Sequence, residues 1–197
     1  TLLLALAVGT VPAVVLGVHL ESRIETVFRS TELVAWVLLA GSGLFLLAEW
    51  VRKRYPQPRE LTLRTGLVVG FFQALALFPG MSRSGATISG GMLLGLTREA
   101  AARFAFLLSI PIILGAGGMK LLDLGHAGLV EAQWLTIGVG ALAAFLSGIA
   151  SMHYLLKFLK NHSLLVFVVY RVVLALLILL APYFVLITNP GAIYNLM

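Results

Sequence analysis

The stretch Pro79-Gly80-Met81-Ser82-Arg83-Ser84-Gly85-Ala86-Thr87 gathers groups that together hold an oxyanion. Glycine lets the backbone approach an anion closely and take turns closed to other residues. If a helix begins near Ser84 and runs through Gly90, its first amides and the positive end of its dipole face the loop tip. Arg83 adds a planar fork of N–H donors that matches phosphate oxygens and stays charged at any physiological pH. The chemistry in view is phosphate binding and charge stabilisation during phosphoryl transfer, with Arg83, Ser82 and Ser84 in catalytic roles and Gly80, Gly85 and Thr87 contacting substrate. Serine and glycine also serve plain helix packing in membranes, but packing leaves Arg83 unexplained.

A loop of this kind needs walls, and the composition says of what sort. Of 197 residues, 60% are hydrophobic and 11% charged, against about 25% charged in ordinary soluble domains. The mean hydropathy is +1.02. Such a chain cannot cover itself with polar surface, so its solvent is largely lipid. Five apolar runs, residues 2–18, 33–51, 104–122, 134–152 and 164–187, approach the roughly 20 residues that a helix needs to cross a bilayer. The first has no basic residues before it and no small-residue cleavage site after it, so it reads as a membrane helix rather than a signal peptide. Residues 66–97 are apolar too, but Pro79-Gly80 and Ser82 to Gly85 break them at the centre. A continuous span does not place proline, two glycines and an arginine mid-run. Two short helices meeting at a loop do, where protein or a watery cavity satisfies the broken backbone. The expectation is a single integral membrane domain over residues 1–197: all-α, polytopic, with about five transmembrane helices plus one re-entrant helix–loop–helix hairpin at about 66–97.

The charges test that topology. Arg52, Lys53, Arg54, Arg59 and Arg64 precede the hairpin, Arg98 and Arg103 follow it, and Lys157 and Lys160 lie between the fourth and fifth runs. Residues 123–133 and 188–197 carry no Lys or Arg. The positive-inside rule puts the basic segments in the cytoplasm and the others outside. The spans alternate only if residues 66–97 enter and leave on the cytoplasmic side. Residues 18–31 then form an outer loop, despite Arg23 and Arg29. The net charge of +6 is punctuation between apolar runs, so nucleic acid is excluded as a partner. With no cysteine, thiol chemistry and disulfides are excluded as well.

Other polar residues give weaker signals. His19, His126, His153 and His162 fall in or beside loops. His126 with Asp123 and Glu131 allows an outer metal site whose geometry nothing fixes, and no metal ligand is assigned. Glu49 stands three and four residues before Arg52 and Lys53, the spacing of a helix-end ion pair. Arg171 sits inside the last run, either reaching a carboxylate or lipid phosphate, or snorkelling to the cytoplasmic edge. Gly90, Gly91, Gly115, Gly117 and Gly118 read as packing glycines.

The segment from Gln73 through the loop to Ile88 resembles the second signature of bacterial undecaprenyl-diphosphate phosphatases of the bacitracin-resistance type. The similarity continues through Gly91-Met92-Leu93-Leu94-Gly95-Leu96-Thr97-Arg98 and Ala105-Phe106-Leu107-Leu108-Ser109-Ile110-Pro111, and Phe167-Val168-Val169-Tyr170-Arg171 resembles a late family feature. The resemblance implies an inverted-topology repeat of six membrane helices and two re-entrant hairpins whose tips meet in a site opening outward. This chain would be its C-terminal part, with one span and one hairpin preceding it. The implied reaction removes the terminal phosphate of undecaprenyl diphosphate, renewing the lipid carrier of cell-wall synthesis in the bacterial inner (plasma) membrane. Arg83, Ser82, Ser84 and Thr87 fall on the family's motif, and Gln73 on a glutamine position with a role toward loop or substrate. A divalent cation (Mg or Ca) is implied, its ligands and the acid–base group belonging to the first signature, so residues 1–197 alone are expected to be inactive. The implied partners are a polyprenyl diphosphate lipid and the membrane, with homo-oligomers left open. Broken hairpins are also transporter architecture, so a polyprenyl-phosphate transporter or flippase is the rival reading. The membrane members of the acid phosphatase superfamily need a histidine soon after Ser-Arg, and none follows Arg83 until His126.

Overall fold

The computed structural model describes residues 2–27, 30–126 and 129–188, with side chains outside 21–27, 129–132 and 183–188. Its elements are α1 (Leu2–Val27), α2 (Thr31–Arg54), α3 (Leu63–Ala74), a 3-10 turn (Leu75–Leu77), α4 (Arg83–Leu93), α5 (Arg98–His126), α6 (Leu129–Asn161) and α7 (Leu165–Thr188). Five of these, α1, α2, α5, α6 and α7, contain stretches long and apolar enough to cross a membrane. The chain is an all-helical, multi-pass membrane protein. Apart from Leu164, which precedes α7, each apolar run lies within one helix, and most helices continue past the run's ends into polar flanks. Residues 18–31, expected as an outer loop, are correspondingly short of loop, because α1 continues to Val27 and α2 begins at Thr31.

Helix starts follow side chains that accept from the first orphan amides. The Ser30 hydroxyl accepts from the Leu33 N–H at 3.1 Å, Thr62 from Thr65 at 3.1 Å and Thr97 from Ala100 at 3.1 Å.

Helices α3 and α4 have 12 and 11 residues, about 18 and 16 Å of rise, too short to cross a core of ~30 Å. Their outer ends are tied together: the Arg59 N–H before α3 donates to the Gly95 carbonyl after α4 at 2.9 Å. Gly95 makes that turn with φ +97, a conformation that side chains oppose. The segment is therefore a hairpin that leaves from the end at which it arrives. The same end is held by ionic contacts. Arg103 meets Glu99 at 2.8 Å and Lys160 approaches it at 3.6 Å.

Glu49 corrects the expected pairing with Lys53 or Arg52. It is buried, and Arg98 forks onto both its carboxylate oxygens, with Arg98 Nε at 2.8 Å from Oε1 and Nη2 on Oε2. The Leu164 N–H donates to the same carboxylate at 2.8 Å. One side chain thus joins the end of α2 to the starts of α5 and α7.

Lipid offers no hydrophobic drive between helices, so close packing carries the assembly. On α3, Cβ atoms added at Gly66 or Gly70 would strike the backbone carbonyls of Ala5 and Gly9 on α1, the first at 2.5 Å. On α4, Gly85, Ala86, Ser89, Gly90 and Gly91 are all buried, letting α2, α3 and α5 close in around it. Phe72 lies against Gly90 and Ala101 against Gly91, as expected of packing glycines. At Gly115, Gly117 and Gly118 no described residue lies within 4 Å of a Cβ built there. Replacing Gly70 by valine is expected to push α1 off α3 and cost about 1–3 kcal/mol. A lowered thermal-unfolding midpoint in detergent would report it, and an unchanged midpoint would show the contact to be dispensable.

Candidate functional site

The hairpin's closed end carries the predicted loop. Gly80 takes φ +95 there, and a Cβ on it would lie 2.8 Å from the Val34 carbonyl oxygen. Glycine is required on both counts. Ser82 takes φ +69, the sort of backbone strain, about 1–3 kcal/mol, that clusters at functional sites. Its hydroxyl caps α4, accepting from the Gly85 N–H at 3.3 Å, while the Ala86 N–H reaches the Ser82 carbonyl at 2.9 Å. The helix starts at Arg83, one residue before the expected Ser84. That leaves the amides of Arg83 and Ser84 without acceptors among the described residues, at the positive end of the helix dipole.

Arg83 is exposed, and its guanidinium forms no hydrogen bond or ion pair among the described residues. It lines a cavity of about 500 Å³ with Ser84, and across that cavity stand Ser109 of α5 and Ser151 of α6. Helical rise explains the grouping. Arg83, Ser109 and Ser151 each lie ten or eleven residues from the hairpin's open end, about 15–16 Å along their helices. Three helices therefore deliver polar groups at one depth, and the remaining walls, including Phe106, Ile110, Ile113 and Leu155, are apolar. Ser109 falls in a segment that resembles the family, but nothing in the sequence marks it or Ser151 as a site residue, because a serine in an apolar run looks the same whether it packs or binds. Ser84 also faces a second space of about 40 Å³ beside Ser82 and Tyr170.

The other predicted residues have different placements. Thr87 is buried one turn down α4, its hydroxyl donating to the Arg83 carbonyl at 2.7 Å. It supports the turn that carries Arg83. Gly85 is buried against the Phe45 ring, which leaves no room for a side chain. Gln73 is buried near the end of α3, and neither its Nε2 nor its Oε1 has a partner among the described residues.

Arg171 does not snorkel, and among the described residues its hydrogen-bond partners are carbonyls rather than a carboxylate. It is 2% exposed, and its Nη2 donates to the Gly80 carbonyl at 2.8 Å and the Leu38 carbonyl at 3.2 Å. Its guanidinium lies 5.1 Å from the Phe45 ring centre, a favourable cation–π distance. Gly41 makes the room, because a Cβ there would collide with Arg171 Nη2. Arg171 thus clamps the loop from behind. Removing it as Arg171→Met should leave the helices assembled and the loop unpinned. Hydrogen bonds to charged groups contribute about 1.5–3 kcal/mol, so activity of the complete protein should fall at least tenfold. Steady-state kinetics would measure it, and wild-type turnover would show the clamp to be idle.

Among the described residues no group of three or more His, Cys, Asp or Glu could hold a metal. The groups around Arg83 are amides, hydroxyls and a guanidinium, which suit an anion and do not fit a cation. Glu131, the third member of the expected outer cluster, lies outside the described side chains.

Five apolar helices and a hairpin whose tip presents an arginine side chain define an all-helical, multi-pass membrane protein. The profile of the family described as bacitracin resistance protein BacA matches residues 1–177, and the chain belongs to that family. It is 43% identical over 175 residues to an undecaprenyl-diphosphatase of Nitrosococcus oceani, covering 88% of this chain and 65% of that protein. It is 46% identical to one of Corynebacterium efficiens (88% and 59%) and 42% identical to undecaprenyl-diphosphatase 2 of Stutzerimonas stutzeri (89% and 66%). The chain therefore spans about three-fifths to two-thirds of the length of these relatives.

Proposed function

We propose that this chain is the phosphate-holding part of an undecaprenyl-diphosphate phosphatase of the bacterial inner membrane. The complete protein would hydrolyse the terminal phosphoanhydride bond, releasing inorganic phosphate and returning undecaprenyl phosphate to cell-wall synthesis. The observation that carries this reading is Arg83. Its guanidinium has no partner among the described residues, and with Ser84 it lines a mostly apolar cavity, where an anion with a lipid body fits. The names of the relatives support the same substrate.

In this reading the hairpin is re-entrant from the cytoplasmic side. The end it shares with Arg98, Arg103 and Lys160 is the basic one, and its tip lies at membrane depth. Arg83 and the Arg83 and Ser84 amides hold the phosphate oxygens and offset the charge that builds on them as the bond breaks. The Ser82 and Ser84 hydroxyls have protons to donate to the same oxygens. A divalent cation, magnesium or calcium, would be held by carboxylates outside residues 1–197 and by the diphosphate itself.

The test is inorganic phosphate release from undecaprenyl diphosphate by the complete natural chain, purified in detergent with magnesium or calcium. Release that a chelator stops supports hydrolysis with a cation. No release from well-folded protein, together with lipid translocation in vesicles, would replace this reading with the transporter.

A further inference from the structure

Resting on the hydrolase reading of the same site, we propose that the cleft between α5 and α6 is the seat of the substrate's isoprenoid tail, running from Arg83 toward the basic end of the bundle past Phe106 and Met152. The cavity at Arg83 does not stop at its polar rim. A second cavity of about 690 Å³ lies between α1, α5, α6 and the linker before α3, and Phe106 and Met152 line both. The two spaces are neighbours on either side of that pair, and both residues are half-buried. Beyond the pair the walls are Ala100, Leu107 and Leu156. The charged residues of its lining are Arg59, Glu60 and Arg103, the last between Ala100 and Phe106 along α5.

The occupant follows from this distribution of chemistry. The anion site lies about 15 Å along α4 from the hairpin's open end, so the phosphate must travel deep into the apolar layer. A two-chain phospholipid keeps its head group at the interface. A single long chain ending in a diphosphate can bring its head to Arg83 and lay its carbons along the apolar walls of the two cavities that meet at Phe106 and Met152. Pockets that bind such ligands are mostly apolar, with a few placed polar groups that fix orientation, and the cleft has that make-up. The α5–α6 seam gives it width: nothing lies within 4 Å of a Cβ built at Gly148.

Contacts made by the tail away from the reacting phosphate stabilise ground state and transition state alike, so losing them raises KM and spares kcat. Two tryptophan substitutions in the complete protein test this with undecaprenyl diphosphate: Met152→Trp at the junction and Ala100→Trp in the far cavity. They lie on different helices, and Ala100 is exposed, so one misfolded variant does not remove the test. Leu180→Trp, an exposed residue of α7, controls for added surface bulk. Either groove variant should raise KM about tenfold, the binding worth of about two methylene groups, with kcat within twofold and the control unchanged. An unchanged KM in the folded groove variants, or a loss confined to kcat, would overturn the tail assignment alone. Absence of phosphate release from the unsubstituted protein would overturn the hydrolase reading and this one with it.

Discussion

Replacing Arg83 by alanine is expected to lower phosphate release by the complete protein about a thousandfold, with little change in thermal stability. The two halves of that expectation come from the same observation. Arg83 is exposed at the first position of α4 and its side chain pairs with no other described residue, so the fold does not depend on the guanidinium. Alanine is a good helix former, and the Ser82 cap and the Thr87 contact use backbone groups that alanine keeps. What disappears is the guanidinium. An arginine aimed at the charge developing on a transferred phosphoryl group contributes about a thousandfold or more in rate, in a water-poor site where no solvent replaces it. Arg83→Lys retains the charge and loses the planar fork, so it should fall between the two. Phosphate assays beside melting curves would separate the outcomes. A stable Arg83→Ala protein with wild-type turnover would remove Arg83 from the site.

The second large effect is on the fold. Glu49→Ala is expected to destabilise the protein by about 3–5 kcal/mol, since removing one partner of a buried ion pair leaves the other charge uncompensated. Here the loss is compounded, because Arg98 loses a two-pronged acceptor and the Leu164 N–H loses its own. By the scaling known for soluble chains of this size, the midpoint should fall on the order of 10 °C. Lys53→Ala is the informative control. A helix-end pair between Glu49 and Lys53 would make the two substitutions similar, whereas the observed geometry predicts that only Glu49→Ala matters. Glu49→Gln keeps one acceptor for Leu164 and gives up the charge, so it should lie between. Equal midpoints for Glu49→Ala and the unsubstituted protein would mean that α5 and α7 are held by apolar packing alone.

Arg171 and Arg83 show why residue type does not decide role. Both are arginines in apolar surroundings, and both fall within segments that resemble family features. Arg171 is spent on two backbone carbonyls and fixes the loop, while Arg83 remains available to a ligand. Ser82 and Thr87 divide similarly: the Ser82 hydroxyl proton is left over after capping, and the Thr87 proton is committed to the Arg83 carbonyl.

The sequence by itself determined the features that depend on nearest neighbours along the chain. Apolar runs of sufficient length must be helices in lipid, because only internal hydrogen bonding satisfies the backbone there. Proline and glycines at the centre of residues 66–97 break a helix wherever they stand, and the serine before Arg83 caps whatever follows. Hairpin and loop were legible for that reason. Tertiary structure alone decided the pairings between residues far apart. Glu49 finds Leu164 across 115 residues and Arg171 finds Gly80 across 91, and no periodicity reports either partner. Ser109 and Ser151 join Arg83 because three helices, read from the same end, place them at one depth. Hydropathy records how far a residue lies along its own helix. Which face it turns, and toward which neighbour, is fixed by close approach at Gly9, Gly66 and Gly70, where the backbones meet, and at Gly85, which admits the Phe45 ring.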